Sequence, residues 1–296
     1  MATTDTTPAP KAAGVPERVV YRGTRPGPIE LVAEGFRDIW SRRRLARYLV
    51  QADLKKKGSD TLLGNIWWVL DPLLQMVVYV VFVSILTRSS KPDYPLFIFA
   101  AILPWKWFAS SVNDATGSVV SQERIIKQVH FPKIVLPLAS TVSGIVNFAF
   151  GLIPLFALLL FLYRDRASPT ALLIPVIALP QFVFTLAFSI FVAGLNVFYR
   201  DVGNLLRHLL RLWFYLSPAL YSADQLAHLS ESHPQVAHLL ALNPFSIIFE
   251  SYHAIIYDDV LPDWGGLAGL LLVSCVLLAL AILFFKRVEP AFAKVL

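Results

Sequence analysis

The sequence lacks most of the features by which an enzyme is recognised. It holds one cysteine, Cys275, which excludes an intramolecular disulfide and any cysteine-built metal site. Cys275 lies in the last apolar run, where a buried packing role is expected. No Gly-x-x-x-x-Gly-Lys-Ser/Thr loop is present, so the chain does not bind ATP by that device. A His-Glu-x-x-His pair is missing too, and the six histidines are scattered. Charge is scarce: 16% of residues are charged, against about 25% in a soluble domain. That is too little to cover a water-facing surface when 56% of residues are hydrophobic. The formal charge of +6 does not indicate nucleic acid, because the basic residues gather beside apolar runs rather than on a folded polar face. Residues 1–28, rich in Thr, Ala, Pro and Gly, have no apolar core, so they are no secretory signal and read as a disordered cytoplasmic tail.

What is present is a series of long apolar runs. Residues 29–60 come first and read as an amphipathic helix lying in the membrane interface. Ile29, Val32, Phe36, Ile39 and Trp40 form one stripe, and Leu45, Tyr48, Leu49 and Ala52 a second, out of phase. A kink near Ser41–Arg44, or two short helices, is therefore expected, with Arg42, Arg43, Arg44 and Arg47 facing anionic headgroups. Six membrane elements follow, at about 66–86, 95–116, 134–163, 171–199, 204–222 and 264–285. The segment 223–263 is too long and too apolar for a simple loop. It reads as re-entrant helices that dip into the membrane from one side. A seventh span is the competing reading. The fold expected is an all-α integral membrane protein, with six spans making up residues 61–290.

Most of the 26 Lys and Arg residues fall on one side of this arrangement, and the other side keeps Arg88, Lys91, Arg164 and Arg166. Lys/Arg bias sets orientation, so both termini are expected in the cytoplasm.

The stretch Ser121–Leu138 interrupts the second and third runs. Glu123, Arg124, Lys127 and Lys133 would each cost about 2.5–3.5 kcal/mol at a bilayer centre, so it belongs in water at the mouth of the bundle. Ile125, Ile126, Val129 and Phe131 give it an apolar side. It reads either as a positively charged loop or as a short helix, about 121–131, that inserts into a groove on a partner.

Polar residues inside the spans form three stripes at helical spacing. Trp68, Asp71, Gln75, Tyr79 and Phe82 lie on the first run, and Lys106, Ser110, Asn113 and Gly117 on the second. Arg207, Arg211, Tyr215, Pro218 and Ser222 lie on the fifth. Intramembrane ionisable groups face a bundle interior or a watery cavity, which suggests a lined passage. Rings beside hydrogen-bonding groups, as at Tyr79 and Phe82, suit a sugar polymer. Snorkelling to headgroups is the competing account of Arg207 and Arg211. Trp67, Trp68, Trp105, Trp107, Trp213 and Trp264 fall near run ends, as an interfacial belt would have them.

Four motifs then carry a family likeness: Leu62–Leu74 (LLGNIWWVLDPLL), Glu123–Pro137 (ERIIKQVHFPKIVLP), Asn196–Leu206 (NVFYRDVGNLL) and the stretch opening Leu242–Asn243–Pro244. In this order, over about residues 35–290, the chain resembles the type-2 ABC transporter permeases of the bacterial polysaccharide, O-antigen and teichoic acid export family. The resemblance implies a permease moving a lipid-linked polysaccharide of O-antigen, teichoic acid, capsule or wall galactan type across the inner membrane. It implies a homodimer joined to two copies of an ABC nucleotide-binding subunit, with ATP and Mg on that partner and no cofactor here. Glu123, Arg124, Ile125, Ile126, Lys127 and His130 would form the coupling helix against that subunit, with Arg200 and Asp201 as a second contact. The chain has Glu123–Arg124 where the family often has Asn, and His253 near where it often has Arg. Rival readings are a drug- or lipid-exporting permease of the same fold, a structural subunit, and a membrane enzyme acting on lipid-linked glycans through Asp258, Asp259 and Asp263.

Overall fold

The computed structural model describes residues 27–59, 62–87, 93–219 and 243–296. Most of the expected tail lies outside the described residues. So do Arg88, Lys91, Ser222, His228, His233, His238 and the first half of the outer segment. No strand occurs among the described residues. In chain order the helices are α1 (Pro28–Ser41), α2 (Arg43–Gly58), α3 (Trp67–Thr87), α4 (Tyr94–Ser118), α5 (Glu123–Gln128) and α6 (Val135–Phe161). Then come α7 (Ile174–Phe198), α8 (Val202–Leu216), α9 (Pro244–His253), α10 (Trp264–Val288) and α11 (Phe292–Val295).

Helix α1 opens on Pro28, whose missing N–H costs nothing in a first turn. The Glu30 carboxylate accepts from the Gly27 N–H at 3.0 Å. The helix stops at Arg42 (φ −100°, ψ 20°) and α2 restarts there, where the two apolar stripes change phase. Together they wrap the base of the bundle. Helix α1 packs on α10, α2 packs on α6, and Lys57 at the end of α2 pairs with Asp114 of α4 at 2.7 Å.

Four helical stretches are long and apolar enough to cross a bilayer: Tyr94–Gln128, Val135–Phe161, Pro169–Phe198 and Trp264–Val295. Helix α3, with 21 residues, rises about 31 Å, which also matches a hydrocarbon core. Helix α8 has 15 residues and rises about 22 Å, short of the roughly 30 Å needed.

The centre of the bundle is α4. Leu96, Ile98, Phe99, Ala100 and Ala101 are fully buried on successive sides of it, as a helix apolar all round should be. It touches α3, α6, α7, α8 and α9. Proline 104 interrupts its hydrogen-bond ladder, and the Gln181 side chain of α7 donates to the Pro104 carbonyl at 2.8 Å. Helix α6 crosses α4 at Gly144, where even a Cβ would stand 1.9 Å from the Ser111 hydroxyl. Asn196 of α7 donates to the Thr116 carbonyl of α4 at 2.9 Å and accepts from the Gly203 N–H at 3.2 Å. That one amide fixes the α7–α8 corner against α4.

Two expectations are corrected. Trp105 and Trp107 are not belt residues: they sit mid-way along α4 and are 5% and 3% exposed. Pro104 lies inside α4, as the expected run over about 95–116 requires. Trp213 joins the same cluster, 6.2 Å from Trp105 and 5.5 Å from Phe245. Cys275 is not buried within the chain but lies on the open face of α10.

Candidate functional sites: a polar track and a charged hairpin

The polar residues of α3 meet partners at two levels. Near the start of the helix, Asp71 is ion-paired with Lys106 of α4. The pair lines a cavity of about 210 Å³ with Trp67, Trp68, Ser110 and Asn147. Two turns further on, the Tyr79 hydroxyl lies in hydrogen-bonding reach of Gln75 and of Tyr215 on α8, with Arg211 nearby. The Tyr79 ring packs 5.5 Å from Phe214. Segments more than 100 residues apart in sequence therefore share one polar edge.

Other members of the stripes are placed differently. Trp68 turns toward α6, edge-on to Phe150 at 5.1 Å. Ser110 and Asn113 donate back to their own helix, to the Trp107 and Ala109 carbonyls. Arg207 bonds Asn204 on its own helix, and Phe82 is exposed higher on α3. The sequence reading missed Asn147 and Trp107, which both line the cavity. The Asn147 side-chain amide oxygen and the Trp107 ring N–H are buried without a partner among the described residues. An isolated Asn deep in an apolar run was the available signal, since such a residue is costly in lipid. A larger cavity, about 860 Å³, lies between α7, α8, α9 and α10. Its walls are almost wholly apolar, Phe188, Phe191 and Leu277 among them, so it offers a polar chain little to bond.

The hairpin between α4 and α6 forms one 3₁₀ turn, Val120–Gln122, and the short helix α5. Lys127 donates to Glu123 across one turn at 2.6 Å. That bond holds the Glu123 carboxyl below its usual range, and Arg200 at the α7–α8 corner is close enough to add to the pull. The two expected contact regions thus lie side by side. Arg124, Ile125, His130 and Asp201 are exposed. Ile126 is not part of that outward face. It is 6% exposed and packs inward with Val119, Ile134 and Phe292, while Ile125 is 46% exposed.

At the opposite end, α9 is wired into the loops. Its N-cap Asn243 accepts from Trp213 at 3.0 Å and donates to Ser217 at 2.8 Å. His253 stacks on Phe97 at 3.8 Å and bonds the Phe97 carbonyl, so the residue standing near the family's Arg is a packing group. A π-turn, Ala254–Asp258, follows. Arg166 bonds Asp93 and the Tyr257 carbonyl, and Thr170 bonds the Ile255 carbonyl and Asp259. Asp263 caps α10 through the Gly265 N–H at 2.9 Å. Asp259 and Asp263 therefore hold backbone and loops together.

A bundle of long apolar helices, a polar edge shared by three of them and a charged hairpin at one end define a multi-pass membrane permease. No protein-family model matches the chain. Curated relatives do. The O-antigen export system permease protein RfbA of Myxococcus xanthus is 36% identical over 258 residues, 87% of this chain and 97% of that protein. A protein of the same name from Klebsiella pneumoniae is 28% identical over 249 residues, 84% of this chain and 93% of its own length. The chain belongs to the family of O-antigen export system permeases.

Proposed function

We propose that this chain is the membrane-spanning half of an ATP-driven exporter that moves a lipid-linked polysaccharide outward across the bacterial inner membrane. The names of its relatives support the substrate class. The chain would cross six times, through α3, α4, α6, α7, a fifth span entering at α8, and α10, with α9 re-entrant. Basic residues of α2, α5, the α7–α8 corner and α11 gather at one end, which supports a cytoplasmic location for both termini. There α1 and α2 lie in the interface, with Arg42, Arg43, Arg44 and Arg47 toward anionic headgroups.

Two such chains would pair and engage two copies of an ABC nucleotide-binding subunit that holds ATP and Mg. The outward face of α5, with Arg200 and Asp201, is the docking surface. ATP-driven movement of α5 rocks the bundles, and the polymer passes along the edge made by Asp71, Lys106, Gln75, Tyr79, Tyr215 and Arg211. Rings stack on sugar C–H faces and polar groups bond the rims, so grip is loose and does not depend on register.

The observation that carries this reading is Ile125, a large aliphatic side chain held open to water at the tip of a hairpin whose neighbour, Ile126, is buried. An exposed apolar residue on a rigid seat is what a partner's groove accepts. Purification of the tagged chain from its own membranes tests it. The wild type should bring down an ATPase subunit, and Ile125→Asp should lose it while the permease still inserts. Equal recovery of the ATPase with both chains would refute the docking assignment.

A further inference from the structure

We propose that Lys286 and Glu289 are positioning residues that carry movement of the hairpin into the N-terminal helix. The inference rests on the reading of α5 as the docking helix. Lys286 ends the last span, and its ammonium lies 2.8 Å from Glu34, 2.8 Å from Asp38 and 3.1 Å from Glu289. Glu34 and Asp38 are one turn apart on α1. The Lys286 and Glu289 side chains are 8% and 9% exposed, so that pair is enclosed, while Asp38 and Glu34 at the α1 end are 22% and 47% exposed.

Glu289 uses both oxygens. One takes the Lys286 ammonium, and the other accepts the backbone N–H of Lys133 at 2.7 Å. Lys133 lies where the hairpin passes into α6. Its N–H belongs to the turn that opens α6, one residue before the N-cap Ile134. A carboxylate there also faces the positive end of the helix dipole. Glu289 therefore holds that turn, as a cap would, from another part of the chain. The path is continuous: α5, residues 129–133, Glu289, Lys286, then Glu34 and Asp38 of α1.

Two packing features leave this path little slack. Gly35 sits between the acidic residues of α1, and a Cβ there would stand 2.3 Å from Ile282, so α1 lies directly on α10. Below the hairpin, Phe292 is fully buried, 5.2 Å from Phe285 and 6.0 Å from Phe198, in the same cluster as Ile126. The hairpin and the last span thus share one floor. Holding α1 in place would not by itself need this arrangement. Enclosed ion pairs are often no better than an apolar contact for stability, but they fix relative position.

The test uses the complex of the permease with its ATPase. The double variant Glu34→Gln with Asp38→Asn severs only the α1 end and leaves the Lys286–Glu289 pair and the cap on α6 intact. Lys286→Met cuts the centre, and Lys286→Arg keeps the charge. Three quantities are read: ATPase recovered per permease, ATP hydrolysis, and glycan reaching the cell surface, labelled on whole cells by periodate and a hydrazide dye. The double variant and Lys286→Met should keep the recovered ATPase and hydrolyse ATP within about twofold of wild type, while export per ATP falls about tenfold. Lys286→Arg should retain export. Unchanged export per ATP in the double variant, or export, hydrolysis and recovery falling together, would overturn the proposal. A wild-type chain that brings down no ATPase would sink the underlying reading of α5 and this proposal with it.

Discussion

Around the middle of α4, Trp105 lies within 6.5 Å of Phe108, Trp213, Phe214, Phe245 and Phe249, all interlocked at tilted or edge-on angles. At the hairpin end the helices are tied by charge instead. Lys286 holds Glu34, Asp38 and Glu289, and Lys57 holds Asp53 and Asp114. Burial alone would lower the Lys57 pKa, but the two carboxylates outweigh it and raise it above the ordinary lysine value. The difference has a mechanical meaning. Interlocked rings cannot slide without losing close packing, whereas a partly solvated pair such as Lys57–Asp114 re-forms after a shift at small cost. In the proposed mechanism the aromatic cluster is the frame, and the charged end is where α1, α2 and α5 would move.

The sharpest way to break this contrast is Trp105→Ala, which should destabilise the protein by about 3–5 kcal/mol, read as a lower melting temperature in detergent. Trp264→Ala, at the open end of α10, should barely move it. Next is Gly144→Ala, where the new methyl meets Ser111; overpacking of this kind costs about 1–3 kcal/mol. Lys57→Met should cost under about 1 kcal/mol in the same melt, since pairs partly open to water contribute little, yet lower export. If it costs as much as Trp105→Ala, the two regions do not differ as described.

The smallest effect is expected at Glu123. Its folded pKa lies below the unfolded value, so the pairing with Lys127 contributes fully above the ordinary carboxylate range. The contribution is lost only as pH falls through the lower, folded value. Recovery of the ATPase should therefore be flat near neutrality and decline only in acid, and in Glu123→Gln the acid decline should be smaller.

Where the chain was readable, local pattern sufficed. The phase change at Arg42 follows from two mismatched stripes, whereas charge between apolar runs leaves α5 open between a loop and a short helix. The Asp71–Lys106 and Tyr79–Tyr215 contacts were legible only as separate helix faces, because periodicity says which side a residue takes but not which helix lies opposite. Other features had no local signature. Lys286 and Asp38 are 248 residues apart, and Glu289 and Lys133 are 156 apart. The burial of Trp105 and Trp107 has no local sign either, because nothing near them shows that their helix is enclosed on every side; Pro104 within it is tolerated because neighbours bond the backbone there, as Gln181 does at the Pro104 carbonyl.

The most direct measurement is a photo-crosslinker placed singly at Ile125, at Ile126 and at Val260, in the full transporter in native membranes. The account predicts that the Ile125 probe captures the ATPase subunit, that the Ile126 probe reacts within its own chain, and that the Val260 probe captures no cytoplasmic protein. Capture of the ATPase at Ile126 or Val260 but not at Ile125 would contradict it.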